Sequence, residues 1–147
     1  MNPRLFVLMM VVSILLACNG PFGLLPGGKL DGELQADPAD WSFAGDYGIC
    51  QLETQPADPY SVNIAYTILN GQLYLNAGDT ETQWVKNMTV DPLVRLRIEG
   101  ILYDLRAERV TDVSEIAVFG EAWTSQSMFR RDPSELADVW IYRLVAL

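Results

Sequence analysis

The chain has 147 residues and a formal net charge of −9, because 19 Asp and Glu residues outnumber 10 Lys and Arg residues. Such an acidic surface repels phosphate backbones, so we expect no nucleic-acid partner. The sequence contains no histidine, which excludes catalytic triads, general bases and metal sites that are built on imidazole. It also lacks a glycine-rich phosphate loop, a metal-ligand cluster and a nucleophile motif, so we expect no metal site and assign no catalytic residue.

Residues 1–17 have the features of an export signal. Arg4 and the amino terminus supply positive charge, and the run Leu5–Leu16 is apolar apart from Ser13. A helix that spans a bilayer needs about 20 residues, so this run is too short to cross a membrane. A buried N-terminal helix is the alternative, but the run has no polar face and Asn, Gly and Pro follow closely. We therefore predict that residues 1–17 are a signal peptide.

The signal ends in Leu15-Leu16-Ala17-Cys18, which resembles the lipobox of bacterial lipoproteins. The resemblance implies that the chain is cut before Cys18, that its thiol carries a diacylglyceryl group and that its new amino group is often acylated. Each buried CH₂ of an acyl chain contributes about 0.8 kcal/mol, so two or three chains hold a protein on a bilayer. We expect a lipid-anchored protein of the cell envelope whose membrane partner is engaged through Cys18. Asn19 in place of Asp favours the outer membrane, facing the periplasm, over the inner membrane.

The next part of the chain is rich in Gly and Pro, which favour turns and loops over regular, packed elements. We predict that residues 18–40 are the lipidated N-terminus and a flexible tether that holds a domain away from the membrane. Leu24, Leu25 and Leu30 are the residues of this segment that are able to dock on the domain. Residues 41–147 have the length of one ordinary domain.

The first half of the domain predicts three strands and a short helix. Asn70-Gly71 joins two apolar runs and is the strongest short-range hairpin signal, since both positions of a type I′ turn need positive φ. The predicted strands are Tyr47–Thr54, Ser61–Leu69 and Gln72–Ala77, and the turn pairs Ile68 with Leu73, Tyr66 with Leu75 and Ile64 with Ala77. Helical spacing of Trp84, Val85 and Met88 predicts a helix over Thr80–Met88, which ends before Asp91-Pro92. Cys50 lies in an apolar run without basic neighbours and is interpreted as a buried, inert thiol.

The second half begins with "LVRLRIEGILYDLRAERV", whose alternation predicts a second hairpin around Glu99-Gly100. The predicted pairs are Ile98 with Ile101, Leu96 with Tyr103, Val94 with Leu105, and Arg95 with Asp104. A helix capped by Asp112 follows, with Val113, Ile116, Ala117 and Trp123 on its apolar face, and the last strand is Val139–Val145. About six strands and two short helices predict a mainly β fold, a small antiparallel barrel with helices over its openings.

The order of these features resembles the deazaflavin-dependent nitroreductase family of the flavin-binding split-barrel superfamily. The features are the Asn70-Gly71 hairpin, Trp84 with Asn87, Asp91-Pro92, the alternating strand, and Arg106-Ala107 before a capped helix. The resemblance implies a split β-barrel with a groove for a flavin or deazaflavin. In the family, the loop after the first strand is basic and rich in Gly and Ser, and it holds the cofactor phosphate. Here this loop, Gln55–Tyr60, has no Lys, Arg or Gly, and it contains Asp58 and two prolines.

Two functions follow from this pattern. We expect a domain that binds a small molecule or a protein partner without a standard phosphorylated flavin, so no cofactor is expected. The alternative is a flavin- or deazaflavin-dependent oxidoreductase, which is nitroreductase-like and forms a homodimer through the barrel. Tyr60, Trp84 and Asn87 are the candidate cofactor-binding residues, although Trp84 also suits a core and Asn87 also suits a cap. The arginines of the second hairpin suit an anion site or, in our preferred interpretation, a solvated mixed-charge face.

Overall fold

The computed structural model describes residues 19–147, so the predicted signal peptide and Cys18 lie outside the described residues. The strands are β1 (Glu33–Gln35), β2 (Tyr47–Thr54), β3 (Tyr60–Leu69), β4 (Gln72–Ala77), β5 (Leu93–Ile98), β6 (Ile101–Arg109) and β7 (Trp140–Val145). The helices are α1 (Gln83–Val90) and α2 (Val113–Ser125), and two 3₁₀ turns span Ser42–Ala44 and Pro133–Glu135.

Six strands form a closed antiparallel barrel. They are hydrogen-bonded in the order β6-β5-β2-β3-β4-β7, and the pairing of β7 with β6 closes the barrel. The predicted mainly β barrel with two helices is therefore confirmed. Strand β1 was not predicted. This strand consists of three residues, all of them exposed, and it pairs in parallel with the outer edge of β6.

Both predicted hairpins form with the expected turns. Asn70 and Gly71 have φ values of 50° and 74°, and Glu99 and Gly100 have φ values of 51° and 83°. These positive angles fit two-residue turns whose twist matches that of the flanking strands. All predicted pairs of the second hairpin are observed, including Arg95 with Asp104.

One predicted pair of the first hairpin is wrong. Ile68 faces Leu73 and Tyr66 faces Leu75, but Ile64 does not face Ala77. Strand β4 pairs with β7 from Leu73 to Ala77, but beyond Leu75 it no longer pairs with β3, so that Ala77 has Trp140 of β7 opposite it and no partner on β3. This divergence is the split of the barrel, and it leaves the first half of β3 without β4 as a neighbour.

The main core fills the barrel, and its two ends are covered differently. Helix α1 contributes Trp84, Val85 and Met88 to one end of this core. At the other end, near the hairpin turns, buried Trp41 meets Tyr103 edge to face at 5.0 Å. Helix α1 begins later than the predicted Thr80, because Asp79 closes a turn in which its side chain accepts from the Glu81 N–H at 2.8 Å.

Helix α2 packs on the outside of the barrel and forms a second apolar cluster. Its Phe119 contacts Tyr74 of β4 and belongs to one cluster with Val110 and Ile141. The predicted apolar face is partly wrong. Val113 and Ala117 are exposed, whereas the predicted Ile116 and Trp123 pack partly buried beside the buried Phe119 and Gly120. At Gly120 the Asp132 carboxylate approaches the helix so closely that no side chain would fit at this position.

Residues 19–35, here called the N-terminal segment, contact the barrel over most of their length. Gly27 and Ser61 exchange backbone hydrogen bonds of 2.9 and 2.8 Å on the part of β3 that β4 has left. Leu30 docks as expected and is 1% exposed, whereas Leu24 and Leu25 remain 103% and 66% exposed. The part of the predicted tether up to Gln35 is therefore fixed to the barrel, because the split offers it a free strand edge.

Candidate functional site

A cleft with a volume of about 350 Å³ lies beside the loop that connects β2 to β3. Its walls come from the N-terminal segment, the β2–β3 loop, strands β5 and β6, and the last residue of the chain. The lining residues are Lys29, Glu53, Pro56, Pro59, Leu93, Val94, Arg95, Asp104, Leu105 and Leu147. This volume is within the range of sites that bind small molecules, and the apolar walls are typical of such sites.

The four charged side chains of the cleft cancel in net charge, and three of them are engaged within the protein. Arg95 donates to Asp104 twice, from Nε to Oδ1 at 2.6 Å and from Nη2 to Oδ2 at 3.0 Å. These hydrogen bonds raise the pKa of Arg95 and keep its guanidinium charged. The buried carboxylate of Glu53 accepts from the backbone N–H of Leu30 at 2.6 Å. Lys29 is exposed and forms no ion pair within residues 19–147.

The β2–β3 loop presents proline rings, not hydrogen-bond donors, to the cleft. Gln55 adopts a left-handed conformation with φ of 56°, and its carbonyl accepts from the Asp58 N–H at 2.9 Å. The hydroxyl of Thr54 donates to the carbonyl of Tyr60 at 3.2 Å, which joins the two ends of the loop. This tight turn places Pro56 and Pro59 on the cleft wall. Because proline lacks an N–H, these two positions offer nothing to a phosphate.

The three candidate residues predicted from the sequence lie near this loop but not in the cleft. Trp84 is 9% exposed and packs on Tyr142 with ring centroids 6.4 Å apart. Asn87 is buried, donates to Thr54 Oγ1 at 2.9 Å and accepts from Gln83 Nε2 at 2.8 Å. The bond to Thr54 ties α1 to the end of β2, where the loop begins, whereas the bond from Gln83 lies within α1 and holds the amide of Asn87 in place.

Tyr60 and the edge of Trp84 instead line a second groove, with a volume of about 370 Å³, between the N-terminal segment and α1. Its other lining residues are Gly23, Leu24, Leu25, Val62, Asn63, Thr82 and Gln83. Two of the three candidates therefore share one groove, and it opens at the split of the barrel. None of its lining residues carries a formal charge.

The arginines of the second hairpin do not form one anion site. Arg95 is bound by Asp104, Arg97 donates to Gln51 Oε1 at 3.0 Å, and Arg109 lies over the Trp140 ring at 3.9 Å. The mixed-charge interpretation accounts for Arg95. The sequence did not reveal that Lys29 and Glu53 share a cleft. Lys29 lies in a segment without hydrophobic periodicity. Glu53 alternates with apolar residues along its strand, a pattern that favours an outward-facing side chain.

Within the part of the chain that the structure describes, no helix combines the length and apolar character needed to cross a bilayer. The same residues contain no grouping of three or more acidic, Cys or His side chains suited to hold a metal ion. Cys50 is buried, and burial raises the pKa of its thiol well above the usual value, so the thiolate is strongly disfavoured.

No protein-family model and no curated protein sequence matches the chain. Solved structures with a similar fold do exist. The conserved hypothetical protein Rv2991 of Mycobacterium tuberculosis aligns with a TM-score of 0.57 and 18% identity over 80% of this chain and 85% of that chain. The heme storage protein HutZ of Vibrio cholerae aligns with a TM-score of 0.54 and 18% identity, over 72% of this chain and 86% of HutZ.

An F420 reductase is also similar, with a TM-score of 0.52 and 15% identity over 76% of this chain and 96% of that chain. Identities this low show a shared fold and nothing about activity. The comparisons therefore support the split-barrel fold that the order of sequence motifs implied.

Proposed function

We propose that the protein is an envelope protein anchored through acylated Cys18, whose split barrel holds a small ligand without net charge in the cleft beside the β2–β3 loop. The observation that carries this proposal is the balance of charged side chains in the cleft. Lys29 and Arg95 are matched by Glu53 and Asp104, and the remaining walls are largely apolar. Such a site favours a partly apolar molecule whose few polar groups meet fixed partners.

A phosphorylated flavin suits this cleft poorly. A phosphate that leaves water needs several backbone donors or basic side chains to replace its lost hydrogen bonds. Nε and Nη2 of Arg95 already donate to Asp104, and the adjacent loop supplies two prolines and the acidic Asp58. Lys29 alone is left to meet an anion, on a chain with a formal charge of −9.

The alternative function is that of a flavin- or deazaflavin-dependent oxidoreductase. The heme storage protein and the F420 reductase among the similar structures both handle small-molecule cofactors, which supports ligand binding by this barrel. The uncharged groove between Tyr60 and Trp84 is where a flat ring without its phosphate would lie in such an enzyme. This alternative differs from the first proposal in one simple observable, the colour of the purified protein.

Anchoring at the membrane is part of the proposal. The lipobox-like Leu15-Leu16-Ala17-Cys18 supports it, and Asn19 after the cysteine favours the outer membrane facing the periplasm. With lipid on Cys18, the barrel needs no spanning helix of its own to stay at the bilayer.

Mass spectrometry of the small molecules that co-purify with the native protein tests the assignment of the cleft. Leu93 is 38% exposed at the cleft wall, and Leu93→Trp fills part of the space. Val113→Trp is the matched control, because Val113 is 79% exposed on α2 and does not line the cleft. We expect an uncharged small molecule to co-purify with the wild type and with the control. The amount bound to Leu93→Trp should be lower by about tenfold or more, and tenfold corresponds to a loss of about 1.4 kcal/mol in binding free energy.

Equal retention by Leu93→Trp would show that the cleft is not the site. A flavin in the wild-type extract would instead favour the oxidoreductase.

A further inference from the structure

The start of the N-terminal segment forms a closed loop with an apolar tip. Phe22 and Leu25 exchange backbone hydrogen bonds of 3.0 and 2.9 Å, which makes a tight two-residue turn of Gly23 and Leu24. At the base of the loop, the Gly28 N–H donates to the Asn19 carbonyl at 2.7 Å. Gly23 has φ of 58°, a left-handed conformation that glycine adopts without strain.

This loop is held on the barrel at several points. Its Gly27 exchanges hydrogen bonds with Ser61 of β3, and the Asn63 side chain donates to the Gly23 carbonyl at 3.0 Å. At Gly27 the two arms of the loop touch so closely that any side chain would collide with the backbone of Gly20 and Pro21. The loop is therefore a fixed projection of the barrel surface.

The projection exposes its apolar side chains. Phe22 is 80% exposed, Leu24 103% and Leu25 66%, and we call these three residues the apolar tip. Residues 19–28 carry no charged side chain, although the whole chain has a formal charge of −9. An uncharged apolar projection on an acidic protein meets no repulsion from anionic headgroups at that spot, and its burial in hydrocarbon is favourable.

The position of the tip in the chain identifies what covers it. The described residues begin at Asn19, directly after Cys18. Consecutive Cα atoms are about 3.8 Å apart, so Phe22 lies at most about 15 Å along the chain from Cys18. An acyl group on Cys18 therefore keeps Phe22 within about 15 Å of the bilayer, which is close enough for the tip to reach the lipid.

We propose that the apolar tip inserts into the phospholipid bilayer as a second membrane contact, which fixes the orientation of the barrel on the membrane. The proposal rests on the proposed lipid anchor at Cys18. Two contacts about 15 Å apart or less restrict tumbling in a way that one acylated residue does not. Because the loop also borders the groove of Tyr60 and Trp84, this orientation holds that groove next to the lipid surface.

The test uses the full acylated protein in phosphatidylcholine nanodiscs that each carry one copy. An environment-sensitive fluorophore is attached through Leu24→Cys, and Val113→Cys on α2 provides the matched control. Buried Cys50 does not compete for the label, since its thiol is 3% exposed and burial raises its pKa. We expect blue-shifted emission at position 24, quenched by nitroxide-labelled lipid, and water-like, unquenched emission at position 113.

Water-like emission at position 24 in protein that is held on the discs would overturn the insertion and leave the anchor intact. A blue shift without quenching by lipid would place the tip in the protein's own groove. Shielding only in vesicles with many copies would assign it to a second copy. Both results contradict the proposal. If the purified wild-type protein carries no acyl group and does not enter the discs, both the anchor and the insertion are overturned. The ligand cleft is tested separately.

Discussion

The carboxylate of Glu53 accepts a hydrogen bond from the backbone N–H of Leu30 at 2.6 Å, and the two residues are only 4% and 1% exposed. This bond joins β2, in the barrel wall, to the N-terminal segment. Because Lys29 and Glu53 both line the cleft, the same contact sets the width of the proposed ligand site.

Substitution of Glu53 is expected to loosen the N-terminal segment. Glu53→Ala leaves the Leu30 N–H buried without a partner, which costs about 1–3 kcal/mol. Glu53→Gln keeps a carbonyl acceptor at the same place and is the matched control, with a smaller loss. Urea denaturation measures the difference, and amide exchange of residues 30–35 locates it. Equal stability and exchange in Glu53→Ala and wild type would show that the bond does not hold the segment.

Two leucines on opposite faces of the second hairpin test how the barrel is covered. Leu96 faces the interior and is 0% exposed, so Leu96→Ala should cost about 2–5 kcal/mol. Leu102 lies on the opposite face of the hairpin, where the alternation of the sequence alone predicts a smaller cost of truncation unless a second copy covers that face. In the structure Leu102 is 3% exposed, because the backbone of Gly32 and β1 covers it.

We therefore expect Leu102→Ala to cost an amount within the same range of about 2–5 kcal/mol. It should also speed amide exchange in residues 32–35, which Leu96→Ala should not do selectively. Denaturant midpoints and exchange rates are the measurements. A near-neutral Leu102→Ala would mean that the N-terminal segment does not cover this face in solution.

Alkaline pH is expected to destabilise the protein partly through Tyr74. Burial, reinforced by the hydrogen bond to Glu115 at 2.7 Å, raises the pKa of Tyr74 to about 12, against about 10 in an unfolded chain. Below pH 10 both states keep the proton and the stabilisation is complete. Between about pH 10 and 12 the unfolded state holds fewer protons, so stability falls by at most about 1.4 kcal/mol per pH unit.

Tyr74→Phe should reduce the slope of unfolding free energy against pH by up to the amount that one proton contributes, about 1.4 kcal/mol per pH unit. Some slope should remain, because burial also raises the pKa of Tyr142. Urea unfolding of both proteins from pH 9 to 12 measures the two slopes. Identical slopes would show that Tyr74 does not contribute.

Lipid attachment is expected to depend on a single thiol. Wild-type protein should take up labelled fatty acid and enter the detergent phase, because Cys18 follows the apolar run and Ala17. Cys18→Ser should abolish the label, whereas Cys50→Ser should not, since Cys50 is buried inside the barrel. Label retained by Cys18→Ser would contradict the lipobox interpretation.

Local patterns made most of the barrel predictable from the sequence. Alternating residues and two-residue turns define both hairpins, and the register alone places Arg95 opposite Asp104. What was missed depends on contacts distant in sequence. Ala77 pairs with Trp140 of β7, and no local signal marks where β4 leaves β3.

The N-terminal segment shows the same limit. Its Gly and Pro residues carry no periodic pattern, so neither β1 nor the burial of Leu30 was expected with a defined partner. The cleft could not be predicted from the sequence for the same reason, because Lys29 lines it only when the N-terminal segment has docked on the barrel. Trp84 and Asn87 were found as a pair, but their buried contacts are visible only in the folded chain.

Equilibrium dialysis of the purified protein against riboflavin phosphate tests whether the barrel binds a phosphorylated flavin. We expect a colourless protein and no saturable binding at low micromolar concentration, because the Gln55–Tyr60 loop offers no basic side chain and Arg95 is held by Asp104. A yellow protein, or saturable binding that is stronger for riboflavin phosphate than for riboflavin, would overturn the proposed uncharged ligand and favour a flavin-dependent oxidoreductase instead.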